Sequence, residues 1–487
     1  MTAPLRITTA ARIGMIACTL SLLSACGTSP VGPDYRVPEA ALVQSPAASA
    51  PFLSAAQPLY SNEAPPPHWW RLFQDPVLDR LIEQALSHNT DLRQAAANLE
   101  RVQAMQDEVD DSRRAHLQAS SALGYGHVSG LSMLRPDTVP RTQSSYSAGL
   151  GLSYQVDGVG QVRRAIEAAQ ASTEATAAAL DLVRVQVAAH TARAYAGVCS
   201  TGLRLRSAQT SVRLQEDALR VSERLQQAGR AGTIDTARAR SQLAQLQASV
   251  PALRAVQRSE LFQLATLMGL PPASVPKEVS SCDTPPQVAT ALPVGDGTAL
   301  LRRRPDVRQA ERELAAATAR IGVVTGDLYP KVTLGLSGAS AGPLSDFGRR
   351  DTFSWNIGPL ISWSVPDTGA VKARIAQAEA STRAALARFD GSVLTALRET
   401  ETALENCARE LERQAALKQA RDQADTVARH ARHLYQAGKT GYLEALDAER
   451  SLAASEAALA GSQAQLADDQ VMLFMALGGG WEPVATH

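Results

Sequence analysis

The sequence predicts a membrane protein that combines short β-strands with very long α-helices, and in which this combination occurs twice. Three observations support this fold class. The 487 residues include 45% apolar but only 4% aromatic residues, and alanine, leucine, glutamine and arginine dominate, a composition typical of long packed helices. Short stretches alternate between apolar and small or polar residues, as strands do. Glycine-containing motifs recur at an offset of 209 residues, for example at Gly229 and Gly438.

The N-terminus has the organisation of a secretory signal. Arg6 and Arg12 precede an apolar stretch that is too short and too close to the start to be a spanning helix. The small residues before Cys26 resemble a bacterial lipobox, which predicts a signal peptide at 1–25 and a lipidated Cys26 bearing a diacylglycerol and an N-acyl chain. The alternative is an ordinary signal peptide with a chance cysteine. Gly27 resembles the outer-membrane sorting pattern, and no other cofactor is expected.

Charge and motif content exclude several classes of function. The chain has 48 basic and 48 acidic residues, so it carries no nucleic-acid footprint. After the signal, no window of 18 continuous apolar residues remains, so a membrane would be crossed by β-strands. No Ser-His-Asp set, phosphate loop or zinc signature points to an enzyme or a metal site. His430 and His433 lie one turn apart and are assigned to a solvated helix face.

The duplication defines the organisation of the chain. The segment "YQAGKTGYLEALDAERS" at 435–451 matches "QQAGRAGTIDTARARSQ" at 226–242, and "DVRQAEREL" at 306–314 matches "DLRQAAANL" at 91–99 with an offset of 215. A loop between these anchors has therefore changed length. The predicted segments are a lipid anchor and linker at 26–67, a first half at 68–275, a connector at 276–297, a second half at 298–480 and a tail at 481–487.

Each half is predicted to contain two strands. They are placed at about 116–128 and 145–156 in the first half, and at about 331–340 and 352–365 in the second. Alternation over about ten residues is typical of membrane β-barrel strands, although a soluble hairpin packed on helices is an alternative. Four strands cannot close a barrel or cover their edges in lipid, so closure requires several chains.

The helices are predicted to form long antiparallel pairs. Uninterrupted helical patterns cover 160–228 and 369–437, each of which would reach roughly 100 Å. Shorter helices follow at 235–269 and 444–478, and the Gly-x-x-Gly break between them and the long helices marks a hairpin tip. Before the first strands, Trp69 and Trp70 are interpreted as packing anchors rather than as ligand-binding residues.

Together these segments resemble a known family. The lipobox, "WWRLFQDPVLDRLIEQAL", "LLRRRPDVRQAERELAAATARIGVVTGDLYP", the duplicated hairpins and the 435–451 segment resemble TolC-like outer-membrane efflux channels of the NodT-type lipoprotein branch. The resemblance covers essentially all of 60–480. It implies a homotrimer whose twelve strands close one barrel that is continued by an α-helical coiled-coil barrel into the periplasm.

The implied function is a passive exit duct rather than an enzyme. The resemblance places the protein in the outer membrane, with an inner-membrane efflux transporter and a periplasmic adaptor as partners, exporting small toxic compounds or drugs. Two alternatives remain open. One is the same duct serving type I protein secretion, and the other is a structural periplasmic coiled-coil lipoprotein.

The resemblance also assigns roles to residues at the tips. Four glycines match the adaptor-contact turns: Gly229, Gly232, Gly438 and Gly441. Four residues match the periplasmic gate: Asp235, Glu444, Asp447 and Tyr435. The alternative for the acids is that they merely favour a helix N-terminus. Thr440 stands where family members often carry an arginine, which leaves the bonding of the gate open.

Two cysteines are predicted to pair. Cys199 lies 30 residues before Gly229 and thus roughly 45 Å along its helix, while the returning helix ends at Gly269 after roughly 52 Å, shortly before Cys282. An oxidising periplasm would then favour a Cys199–Cys282 disulfide. Cys407, the repeat-mate of Val198, is expected to be a small buried helix residue.

Overall fold

A computed structural model describes residues 30–127, 129, 139–230, 232–288, 290–363 and 368–479. It has two compact units. Unit 1 comprises the residues up to Val37, Arg101–Glu174 and Arg312–Ala387, and unit 2 comprises Pro38–Glu100, Ala175–Glu311 and Arg388 onward. The predicted signal peptide, Cys26, the tail at 481–487 and the strand ends at 128 and 364–365 lie outside the described residues. Among the residues described, no helix is both long and apolar enough to cross a membrane.

The first half of the chain contains the following elements in order: β1 (Tyr60–Ser61), α1 (Pro76–His88), α2 (Thr90–Asp111), β2 (His116–Gly126), β3 (Gln143–Val156), α3 (Gln161–Gln227) and α4 (Thr233–Leu267). A short helix, α5 (Lys277–Ser280), follows in the connector. The ends of α3 lie within a residue of the predicted 160–228, because glycines stand at both boundaries.

The second half repeats the order: β4 (Leu292–Pro293), α6 (Gly297–Arg303), α7 (Pro305–Gly326), β5 (Lys331–Pro343), β6 (Phe353–Ser362), α8 (Thr368–Gln436) and α9 (Tyr442–Ala476). Helices α2 and α7 both contain 22 residues, and α4 and α9 both contain 35. The duplication read from the sequence is thus a duplication of structure.

Unit 1 contains a four-stranded antiparallel sheet with the order β2-β3-β5-β6. Its register places one residue from each strand in a row across the sheet. The row on one face is apolar and consists of Leu117, Leu152, Leu336 and Ile357; the adjacent row on the other face is small or polar and consists of Gln118, Gly151, Ser337 and Asn356. Strands β2 and β6 are the edges of the sheet. The sheet therefore has one face suited to lipid and one suited to water.

Unit 2 is organised around two adjacent tryptophans. Trp69 and Trp70 are fully buried, and the Trp69 ring stacks on Phe474 with centroids 5.0 Å apart. The interpretation of these residues as packing anchors is confirmed. The linker and the connector also enter this core, since Tyr60 and Leu292 are buried and β1 pairs in parallel with β4. The segments predicted as linker and connector are thus packed against the helices by scattered apolar side chains.

Candidate functional site

The two hairpin tips are built on left-handed glycines. Gly229 has φ +70° and Gly438 has φ +68°. After the first glycine, the Arg230 amide donates to the Leu225 carbonyl at 2.8 Å, and after the second the Lys439 amide donates to the Leu434 carbonyl at 2.9 Å. This is the Schellman arrangement, which satisfies the last carbonyls of a helix. Only glycine adopts such a φ without strain, so these positions are explained by the backbone.

The second glycine of each tip has a different basis. Gly232 and Gly441 are the N-cap residues of α4 and α9, with φ of −82° and −75°. Any residue can adopt these angles. A Cβ atom at Gly441 would meet nothing within 4 Å, and one at Gly232 would meet only atoms 4.0 Å away. Nothing within the described part of the chain requires glycine at these two exposed positions.

The three predicted gate acids occupy different environments. Asp235 lies in the first turn of α4, where its Oδ1 is 3.8 Å from Arg238. Glu444 lies in the first turn of α9 and accepts a hydrogen bond from the Thr440 hydroxyl. Asp447 is exposed one turn later, and within the described residues no hydrogen bond or ion pair involves its side chain. Asp235 and Glu444 thus stand where an acid stabilises a helix N-terminus, whereas the position of Asp447 has no such explanation.

Tyr435 is buried, with 7% of its surface exposed, and packs against Tyr442 with ring centroids 5.5 Å apart. Among the described residues its hydroxyl has no hydrogen-bond partner, although the Ser222 hydroxyl lies nearby. In this chain Tyr435 therefore contributes packing and makes no bond to Asp235.

Sequence reasoning missed a buried polar contact beside Tyr435. Gln215 is 2% exposed; its Nε2 donates to the Ala239 carbonyl at 3.1 Å and lies 3.3 Å from the Tyr442 hydroxyl. It therefore links α3 and α4 to α9. Tyr442 directly follows Gly441, and its repeat-mate in the first half is Thr233. An aromatic residue that appears in only one half was the available signal.

A second missed feature is an ion pair that crosses each hairpin. Arg432 Nε lies 3.1 Å from Glu449 Oε1 in the second half, and Arg240 Nη2 lies 2.8 Å from Glu223 Oε1 in the first. The offset of 209 relates Glu223 to Arg432 and Arg240 to Glu449, so the two pairs occupy equivalent positions with reversed charges. Burial raises the pKa of Glu449, and Arg432 opposes that shift. The sequence signal for these ion pairs was the presence of opposite charges at similar distances on either side of each predicted turn.

Cys199 and Cys282 form a disulfide in unit 2, with a Cα–Cα distance of 4.6 Å. The connector approaches α3 closely at this point, because a Cβ atom at Gly202 would lie only 2.0 Å from the Cys282 carbonyl oxygen. Cys407 is fully buried, as expected, and burial raises its pKa to about 12.

Comparison with known proteins agrees with this architecture. The family model described as "Outer membrane efflux protein" matches residues 81–270 and 298–479, which is most of the chain. Nodulation protein T of Rhizobium leguminosarum bv. trifolii is 29% identical over 95% of this chain and 96% of its own length. The pyoverdine export outer membrane protein OpmQ of Pseudomonas putida is 31% identical over 96% of this chain and 97% of its own.

Solved structures show the same fold. The outer-membrane channel OprN has a TM-score of 0.84 and 36% sequence identity, covering 93% of this chain and all of that chain. CusC, which undergoes conformational changes during folding and transmembrane channel formation, has a TM-score of 0.79 and 25% identity, covering 93% of this chain and all of that one. The resemblance expected from the sequence is confirmed. The chain belongs to the outer membrane efflux protein family, and it is a passive outer-membrane lipoprotein channel that serves as the exit duct of an efflux pump.

Proposed function

We propose that three copies of this chain form one duct, that a ring of Asp447 side chains narrows its periplasmic end, and that an adaptor docking at the glycine tips opens it. The observation that carries this proposal is a difference in burial between repeat-mates. Ala171 is buried while its mate Ala380 is exposed, and Ala319 is fully buried while its mate Ala104 is exposed. The same residue type at equivalent positions thus has a covered surface in one place and an open surface in the other.

A head-to-tail ring accounts for this difference. Within one chain α3 packs against α7; for example, Arg312 pairs with Glu174 at 3.2 Å. Their mates α8 and α2 remain largely exposed, and Leu92 is the only buried residue of α2. If α8 of one chain packs on α2 of the next, as α3 packs on α7, every such surface is covered when the ring closes. The same closure pairs the edge strands β6 and β2 of neighbouring chains.

The gate follows from the same repeat relationship. The repeat-mate of Asp447 is Arg238, so α4 carries a base where α9 carries an acid, at equal distance from the turn. Helices α4 and α9 are adjacent at this level, because Ala239 shares a cluster with Leu446. Around a closed ring, three Asp447 and three Arg238 side chains would alternate. We propose that these arginines supply the neutralising charge that Thr440 cannot.

The tips provide the surface for a periplasmic adaptor. Ile234 is 64% exposed and Leu443 is 55% exposed, and these repeat-mates stand two residues after Gly232 and Gly441. An exposed apolar side chain beside a glycine that the chain itself does not require fits close approach of another backbone. The adaptor would connect the duct to an inner-membrane transporter, whose class sets the cargo. We propose small toxic compounds or drugs, with type I protein secretion as the alternative.

The lipid is proposed to lie on Cys26. One lipid group gives only marginal membrane binding, so the inserted sheet would supply the rest. A structural coiled-coil lipoprotein would not need the two-faced sheet, and heat-resistant trimers that conduct ions in a planar bilayer would exclude it. Cross-linking followed by co-purification would identify the transporter and thereby separate drug efflux from protein secretion.

Single-channel recording tests the gate. Asp447→Asn should raise conductance and weaken block by multivalent cations, and Arg238→Gln should strengthen that block, because the acidic ring would lose its counter-charge. Asp217→Asn is the matched control, since it removes an exposed acid from α3 farther from the tip. Conductance and block that are unchanged in Asp447→Asn would remove this residue from the gate.

A further inference from the structure

The segment that follows the predicted anchor is docked in a slot of unit 1. Val31 donates its amide to the Val159 carbonyl at 2.9 Å, and the backbone turns at Gly32, where φ is +84°. Residue 159 lies between the end of β3 and the start of α3. The segment therefore contacts the point where the sheet meets the helices.

Arg164 forms the polar floor of this slot and is 3% exposed. Its guanidinium donates to the Val31 carbonyl at 3.1 Å, to the Gly32 carbonyl at 3.1 Å and to Asp34 Oδ1 at 2.7 Å. Its remaining partner is Glu167, at 2.7 Å. Three of its four partners belong to the docked segment, so this arginine recognises both the backbone and the acid of that segment.

Glycines and an aromatic contact complete the slot. A Cβ atom at Gly160 would lie 2.6 Å from Pro30, and one at Gly322, within α7, would lie 2.6 Å from the Val31 carbonyl oxygen. Farther along the segment, the Tyr35 ring lies beneath the Arg312 guanidinium at 5.5 Å. Backbone approach of this kind is possible only where side chains are absent.

The repeat-equivalent pair of helices, α8 and α2, lacks the side chains that form the slot. The repeat-mates of Arg164, Gly322 and Arg312 are Ala373, Asp107 and Ala97. The mate of Gly160 is also a glycine, but a Cβ atom there would meet nothing within 4 Å. Since the two halves share their fold, these differences do not follow from helix or strand formation. The slot residues instead contact the N-terminal segment, which occurs once in each chain and not once in each half.

We propose that this slot is a recognition site for the chain's own residues 30–36, and that it holds the lipidated terminus beside the sheet so that acyl chains and strands enter the membrane together. Pro30 stands four positions after Cys26, a span of at most about 14 Å. The docked segment thus confines the anchor to the sheet–helix junction. The role in membrane entry rests on the proposed lipidation of Cys26, whereas docking itself does not.

Hydrogen exchange on the full-length protein tests docking. Gly322→Ala should speed amide exchange in residues 30–36 at least about tenfold, because the new methyl group would displace Val31. The substitution favours helix α7, so loss of fold is not expected. Gly461→Ala is the matched control, a helical glycine in α9, outside the proposed α8–α2 contact between chains, with open space around it. Arg164→Gln should act like Gly322→Ala, and its exposed neighbour Arg163→Gln should not. Unchanged exchange in both slot variants would overturn the proposal.

The yield of heat-resistant trimer in the outer membrane tests the role in assembly. Both slot variants should retain palmitate labelling yet give several-fold less trimer at early times after induction, whereas both controls should assemble like wild type. Normal assembly with an undocked segment would refute the positioning role. Cys26→Ser separates the two proposals: loss of label shows lipidation at this residue, and a label that persists contradicts lipidation there without affecting the exchange result.

Discussion

Removal of the Cys199–Cys282 disulfide should lower the stability of the duct by a calculable amount. The bond closes a loop with a sequence separation of 83 residues. In the chain-entropy model a loop of this length stabilises the fold by about 4.5 kcal/mol. Per-residue unfolding entropies for a mature chain of about 460 residues convert this value into a midpoint decrease of about 5 °C.

The assay is the temperature at which the trimer dissociates to monomer on a detergent gel, with and without a phosphine reductant. Reductant should lower the wild-type midpoint by about 5 °C. The double variant Cys199→Ala, Cys282→Ala should show the lowered midpoint in both conditions. Cys407→Ala is the control, and it should keep the reductant-dependent shift because it leaves the bond intact.

Thiol counting checks the premise independently. The native mature protein should show no reactive thiol, because the proposed lipid would block Cys26 and burial raises the pKa of the Cys407 thiol to about 12. Denaturation without reductant should expose Cys407 alone, and denaturation with reductant should also expose the two paired cysteines. Extra free thiols in the denatured, non-reduced protein, or equal midpoints for wild type and the double variant, would refute the reasoning.

Three further predictions concern the tips, and trimer melting temperature measures the stability changes. Tyr435→Phe should change stability by less than about 0.5 kcal/mol because its hydroxyl has no partner among the described residues. Tyr442→Phe should cost about 1 kcal/mol because the buried Gln215 amide loses one of its two acceptors and keeps only the Ala239 carbonyl. Gly438→Ala should cost about 1 kcal/mol because φ is positive there, while Gly441→Ala should preserve stability and weaken adaptor pull-down. Burial raises the pKa of Glu449, so the folded chain binds that proton more tightly than the unfolded chain does. Stability should therefore fall as pH rises above about 4.5 through the raised pKa. Glu449→Gln should remove this contribution to the pH dependence of the melting temperature, measured between about pH 4.5 and 7. Equal losses for the two tyrosine variants, equal losses for the two glycine variants, or an unchanged pH slope would contradict these expectations.

The contacts at the tips add to what the family resemblance implies. Carried over by position, Tyr435 is expected to help hold the gate shut, and within the described part of one chain its hydroxyl has no hydrogen-bond partner. The inter-hairpin contact instead uses Tyr442 and Gln215. Tyr435 lies in the last turn of α8 and Tyr442 in the first turn of α9, so the rotation of each helix decides which polar neighbour each hydroxyl meets.

Much of the fold was determined by the sequence alone. Period-two alternation marked the strands, glycines marked the ends of α3 and α8, and the offset of 209 marked the duplication. These features depend on backbone geometry and on the alternation of side chains along one element, which are local properties. The sequence also predicted that Cys199 and Cys282 lie at similar distances from the hairpin tip, because the rise per helical residue converts residue counts into distance.

Which side chains meet could be learned only from the packing of the elements in three dimensions. Arg164 binds Asp34 of the N-terminal segment, Tyr60 of the linker is buried in the core, and Arg432 forms an ion pair with Glu449. The packing also shows that identical alanines, such as Ala171 and Ala380, have opposite burial. Repeated sequence specifies repeated elements, but contacts depend on which neighbour each element has, and the neighbours of α8 and α2 are proposed to belong to other chains.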